Sequence, residues 1–276
     1  MCWRNTVKSA ARICCALLFC AAPSWLVAEP AQVRVGGYHF PPYVVRPEQG
    51  GDDGLVAPLL TALNRTQDAY FFTLVPTSAT RRYRDFEQAR FDVILFESPT
   101  WGWQEIAFEG VDMFLEDEEL FVAARAPGRG QEYFEDLRGK RLALYQGYHY
   151  AFADFNSDQD YLASNYNALL TYSHDSNLQM ITRDRADIAL VTRSFLTGFS
   201  ALNPQHAKQL LVSRRVDQIY RHHALVRPGA TISAAQLHQL LQQLRASGEL
   251  ARIFEPYAVR LIPVSAGNSA TADAAD

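Results

Sequence analysis

Apolar residues along this chain switch repeatedly between two periods. Val33-Arg34-Val35 alternates and runs into Gly36-Gly37, which predicts an opening strand. A turn over 51–54 follows. Leu55, Val56, Leu59, Leu60 and Leu63 then recur at helical spacing, with Asp52 or Asp53 placed to cap the helix. Tyr70 to Val75, aromatic and β-branched, reads as the next strand and Pro76 as its stop, with a helix expected over 78–89. Phe91 to Phe96 is a nearly continuous apolar run broken by Asp92, the pattern of a strand covered on both faces in a parallel sheet. The order β-α-β-α-β predicts an α/β fold with right-handed crossovers.

The pattern then recurs. Arg141 to Tyr145 is a strand leading to Gly147, Asp175 to Asp184 a helix, and Asp187 to Val191 another short apolar strand. Gly37-Tyr38-His39-Phe40 is similar to Gly147-Tyr148-His149-Tyr150, and the six residues from Ala89 to Ile94 are similar to the six from Asp184 to Ala189. These pairs suggest two lobes on one plan, linked by strands over 119–124 and 220–227. Ser233 and Gln236 form a capping box for a C-terminal helix with Leu237, Leu240, Leu241 and Leu244 on its inner face. Gly248 ends it, and Leu250, Ile253 and Phe254 pack a last short helix before Pro256. Residues 264–276 read as a disordered tail.

Charge and cysteine usage narrow the function. Arg4, Lys8 and Arg12 precede an apolar run from Ile13 to Ala22, and Leu26-Val27-Ala28 ends in a small residue, so 1–28 reads as a secretory signal peptide. Three of the 26 basic residues and none of the 30 acidic ones fall there, leaving 23 against 30, a net charge of −7 that suits nucleic acid poorly. All four cysteines, Cys2, Cys14, Cys15 and Cys20, fall there too, so the mature chain is expected to hold no disulfide, thiol nucleophile or cysteine metal site. There is no phosphate-binding glycine loop and no His-Glu-x-x-His. His222 and His223 are neighbours on a strand and point to opposite faces, unsuited to sharing a metal. No cofactor is expected.

In order and spacing, several short stretches together resemble the family 3 periplasmic solute-binding proteins, the polar amino-acid type that feeds ABC importers. They are Val33 to Gly36 with Phe40-Pro41-Pro42-Tyr43, Gly54-Leu55, Phe91 to Ile94, Glu105 to Phe108, Asp136 to Lys140, Gln146-Gly147, Arg185-Ala186-Asp187 and Gly248 to Tyr257. The resemblance implies a two-lobed periplasmic binding protein fold of type II with two hinge strands. One lobe would be 33–122 plus 222–263 and the other 126–220, with the ligand between them. It further implies a monomer in the periplasm, with an ABC permease or a membrane sensor as partner. An enzyme on the same fold, similar to the cyclohexadienyl dehydratases, is the alternative, with Glu97 or His149 as general acid.

Candidate ligand contacts follow strands, where α/β sheets bind their ligands. Tyr38, Phe40 and Tyr43 follow the first strand. Glu97, Ser98, Thr100, Trp101 and Trp103 follow the strand 91–96. The two tryptophans suit an aromatic wall, with Glu97 as the partner of a cationic group. Gln146, Gly147, Tyr148 and His149 precede an expected helix whose backbone N–H groups could hold an anion. The resemblance implies a Ser-x-Thr-x-x-Arg carboxylate clamp. Ser98 and Thr100 match its hydroxyls, but no arginine follows. An aspartate that would hold an ammonium is replaced by Thr192, followed by Arg193. Arg193 or Arg82 could supply the missing positive charge. A ligand with a flat or cationic part, rather than a simple α-amino acid, is expected.

Overall fold

The computed structural model describes residues 29–50 and 54–263; the expected signal peptide, the cysteines, the Asp52 or Asp53 cap and the C-terminal tail lie outside them. Nine strands form one curled sheet: β1 (Ala31–Gly37), β2 (Tyr70–Pro76), β3 (Val93–Glu97), β4 (Glu109–Ala124), β5 (Leu142–Tyr145), β6 (Ala168–Thr171), β7 (Ile188–Thr192), β8 (Leu210–Val226) and β9 (Arg260–Leu261). The order across the sheet is β2-β1-β3-β8-β4-β7-β5-β6, with β9 beside β4. β1 lies parallel to β2 and β3, and β5 parallel to β6 and β7. The long antiparallel pair β4–β8 joins these two three-stranded groups.

The helices follow the sequence pattern closely where the apolar stripe is strong. Val56–Thr66 buries Val56, Leu59, Leu60, Ala62 and Leu63. Each large side chain so buried contributes roughly 1.5–3 kcal/mol. In the C-terminal helix Ala234–Ala246 the Ser233 hydroxyl accepts from the Gln236 N–H at 3.2 Å, and the Gln236 side chain accepts from the Ser233 N–H at 3.0 Å, so the capping box is closed. The helix expected over 78–89 is shorter, Arg82–Glu87. The helices Gln159–Tyr166 and Arg193–Leu202 and the strand β6 were not foreseen.

The crossing strands are far longer than the apolar runs 119–124 and 220–227. Glu109–Ala124 contains Asp112 and the acidic run Glu116-Asp117-Glu118-Glu119, which breaks the apolar signature of a strand. Strand alternation explains the run: Asp117 and Glu119 turn inward, each 3% exposed, while Glu116 and Glu118 turn toward Arg260 and Arg193.

The two halves share a built-in repeat. Asp92, at the head of β3, accepts from the Arg34 backbone N–H at 2.9 Å and from its guanidinium at 2.9 and 3.0 Å. Asp187, at the head of β7, accepts from the Arg141 N–H at 2.7 Å and its guanidinium at 3.0 and 3.1 Å. Ala89 and Asp184, both at left-handed φ (56° and 53°), turn the chain into these strands. The likeness of 89–94 to 184–189 is therefore structural. The likeness of Gly37–Phe40 to Gly147–Tyr150 is not: Val35 pairs with Val93 as Leu142 pairs with Ile188, which makes Tyr145, not Tyr148, the counterpart of Tyr38.

Candidate functional site

A small cavity sits where the carboxyl ends of β1 and β5 face the crossing strands. It is lined by Tyr38, Phe40, Arg82, Trp101, Glu119, Gly147, Tyr148, His149 and Gln218 and encloses about 10 Å³, room for roughly one water. The walls touch across it. Trp101 donates from its indole to Gln218 at 3.3 Å, and Gln218 donates to the His149 carbonyl at 2.7 Å. The Tyr148 hydroxyl lies 3.4 Å from the His39 carbonyl. Gly147, at φ 79°, comes so close to Ala79 and Thr80 that a Cβ there would meet both at 3.2–3.3 Å. The walls meet, and the space between them is closed down to this small cavity.

The positive charge in the wall belongs to Arg82, which is 1% exposed. Its Nε lies 3.1 Å from Glu97 Oε1, and its guanidinium stacks over Tyr38 at 4.7 Å and Tyr83 at 4.4 Å. Glu97 also accepts from the Trp103 indole at 2.8 Å. Burial pushes the Glu97 carboxyl up, while Arg82 and the Trp103 N–H pull it down. This carboxylate is therefore occupied by the protein itself, contrary to the expectation that it would face a ligand. Trp103, fully buried against Tyr83 and Phe86, is core rather than wall.

Other expected contacts also divide. Tyr38, Phe40, Trp101, Gly147, Tyr148 and His149, all weighed as ligand contacts, line the cavity. Tyr43 is buried outside the lining, its hydroxyl donating to Asp117 at 2.6 Å. Ser98 and Thr100 hydrogen-bond each other at 2.9 Å, and Thr100 is exposed. Gln146 lines a separate surface groove with His39, Thr80 and Tyr172. Thr192 caps the helix Arg193–Leu202 by accepting from the Phe195 N–H at 3.1 Å, and Arg193 pairs with Glu118 at 2.9 Å, away from the cavity. Of the two arginines weighed for the cleft, Arg82 is the one present.

The expected helix after His149 is only a short turn, Ala151–Ala153, and its first N–H groups donate to Asp217 at 2.7 and 2.9 Å. Asp217 therefore occupies the place an anionic ligand was expected to take. Burial and the nearby Arg82 push His149 down to about 4, so it is neutral. Its Nδ1 donates to the Phe155 carbonyl at 2.6 Å, an assignment made from the bonding network, and its Nε2 lies 2.9 Å from the Tyr83 hydroxyl. Both Glu97 and His149, the two residues weighed as general acids, are engaged by protein partners.

Sequence reasoning missed Glu119 and Gln218, which reach the cavity from β4 and β8. The available signal was the four-acid run between Leu115 and Leu120: on a strand, two of four successive acids must turn inward. Glu119 Oε1 is buried with no hydrogen-bond partner among the described residues. Burial, with Asp217 and Asp117 nearby, raises this carboxyl well above the usual carboxylate range. The described residues hold no cluster of three or more metal-ligating side chains, and no helix among them is long and apolar enough to cross a membrane.

No family model matches the chain, and no curated protein matches it. Solved structures do. A mutant of ArgBP from T. maritima aligns over 83% of this chain and 95% of its own, at 20% identity and a TM-score of 0.61. The GluR0 ligand-binding core in complex with L-glutamate aligns over 84% and 99%, at 14% identity and 0.64. A histidine kinase sensor domain with similarity to periplasmic binding proteins aligns over 85% and 99%, at 20% identity and 0.62. The chain has the two-lobed periplasmic binding protein fold.

Proposed function

We propose that this chain is a periplasmic solute-binding protein that closes on a small flat or cationic, amino-acid-like solute and passes it to an ABC importer or presents it to a membrane sensor. The observation that carries this reading is the cavity: rings from after β1 and β3 (Tyr38, Phe40, Trp101) meet Gly147, Tyr148 and His149 from after β5. Two lobes, 33–122 plus 222–263 and 126–220, would hinge on β4 and β8 and close over the solute. A ligand touching both would bind a closed form whose walls stand far enough apart to admit it, and would draw the population toward that form. Solved structures with this fold include an arginine-binding protein, an L-glutamate complex and a kinase sensor domain, which supports either delivery or sensing. The test is a thermal-shift screen of the protein against a broad panel of amines, amino acids and organic acids. At least one small solute should raise the melting temperature in a concentration-dependent way. A panel without any such solute would contradict the reading.

A further inference from the structure

The cavity wall holds two charged groups of opposite kind in different situations. Arg82 is matched by Glu97 at 3.1 Å. Glu119 is buried, and its Oε1 meets no donor. Around Glu119 stand the rings of Phe40, Tyr148 and Trp101, with Tyr220 packed on Trp101 at 4.9 Å between centroids. An unmatched carboxylate beside ring faces is the chemistry that recognises an ammonium or guanidinium group. A carboxylate on the solute would find Arg82 already engaged and the Ala151 and Phe152 N–H groups already donated to Asp217.

We propose that Glu119 is the seat of the solute's cationic group, and that the cleft selects an amine or guanidine that carries no carboxylate. The inference rests on the solute-binding reading and deepens it. It has a proton consequence. The titratable groups facing Glu119 are Asp117 and Asp217 on the crossing strands and the hydroxyls of Tyr43, Tyr148, Tyr150 and Tyr220. The Arg82 guanidinium and the neutral His149 ring share the cavity lining, but Arg82 is paired with Glu97, so Glu119 has no cation of its own, and burial with Asp217 and Asp117 nearby holds its carboxyl well above the usual carboxylate range. A bound cation favours the ionised carboxyl, and the proton it displaces leaves to solvent as the ion pair forms. Binding should therefore release a proton and tighten as pH rises, up to the point where the solute's own amine loses its charge.

The test uses matched probes on the mature chain: tyramine against tyrosine, agmatine against arginine, and 4-hydroxyphenylacetate as the anion alone. Calorimetry in two buffers of different ionisation heat reads affinity and proton release together. At least one amine should bind tenfold or more tighter than its amino acid, with proton release, and 4-hydroxyphenylacetate should not bind. Glu119→Gln should weaken that amine at least tenfold and abolish the release, while melting no lower than wild type because an unmatched buried acid is gone. Glu119→Asp should keep part of the affinity. A probe or screening hit of any charge whose affinity Glu119→Gln leaves untouched would overturn the inference alone. A tighter grip on the amino acids than on the amines would do the same. If no compound binds at all, the solute-binding reading falls and takes this inference with it.

Discussion

At the amino ends of their strands the two halves of the sheet are built alike, and at the carboxyl ends they are not. Arg34–Asp92 and Arg141–Asp187 are the same clasp, made with the same backbone and guanidinium donors. The same register carries Glu97, at the end of β3, onto Thr192, at the end of β7. Glu97 is a buried charge held by Arg82 and Trp103, whereas Thr192 is a helix cap. One half thus ends in an electrostatic knot and the other in a local hydrogen bond. The buried acid with an unpartnered oxygen, Glu119, comes from neither half but from β4, which crosses between them. A repeated scaffold accounts for the likeness of the two halves, while their carboxyl ends and the linking strands carry the differences.

The sharpest way to break this comparison is to truncate both equivalent positions. Glu97→Ala leaves the Arg82 guanidinium buried without a partner, a change that typically costs about 3–5 kcal/mol. Thr192→Ala loses one cap, typically about 1 kcal/mol. Urea unfolding of the two variants should show that order, and equal losses would mean that the two strand ends do equivalent work. Next in size is Trp101→Ala, which removes a ring that reaches across to Gln218. Loss of such an anchor costs about 2 kcal/mol of binding, roughly thirtyfold in affinity. Calorimetry with a screening hit reads it, and affinity equal to wild type would take Trp101 out of the site.

A smaller effect separates the clasp from the crossing strand by pH. The Asp92 carboxyl, held by Arg34 and Arg227, lies below its usual value although burial opposes this. Its stabilisation is present at neutral pH and is lost as pH falls through that depressed value. Asp117, which accepts from Tyr43 and Ser194 at 2.6 Å each, is raised by burial to about 6. Its contribution has the opposite sign: present below the ordinary carboxylate value near 3.8, and lost as pH rises through about 6. Unfolding measured between pH 4 and 7 should show Asp117→Asn losing a downward slope that wild type has. An unchanged slope would remove Asp117 from the pH account.

What could be read beforehand follows from the same division. Strands β1, β3, β5 and β7 and the C-terminal helix were legible because apolar period and capping residues coincide in them. The acidic inner face of β4 was not, because a strand lining a polar cleft lacks the apolar signal that identifies strands. Trp101 and Tyr148, weighed as ligand contacts from their place after strands, lie on the cavity wall. Glu97 stood in an equally suggestive place, yet its partner Arg82 comes from a helix fifteen residues earlier, and no local spacing announces that contact. Thr192 and Arg193 were weighed because the resemblance puts an ammonium-holding aspartate at Thr192; the helix they begin, which was not foreseen, has Thr192 as its cap, and Arg193 pairs with Glu118.

On the proposed function, the walls meeting around Trp101, Tyr148 and Gln218 part and close on a solute. Small-angle scattering on the protein, alone and saturated with the best compound from the thermal-shift screen, tests it most directly. The account predicts a smaller radius of gyration with the solute, and a smaller contraction for Trp101→Ala at the same concentration. An unchanged radius at saturation would contradict it.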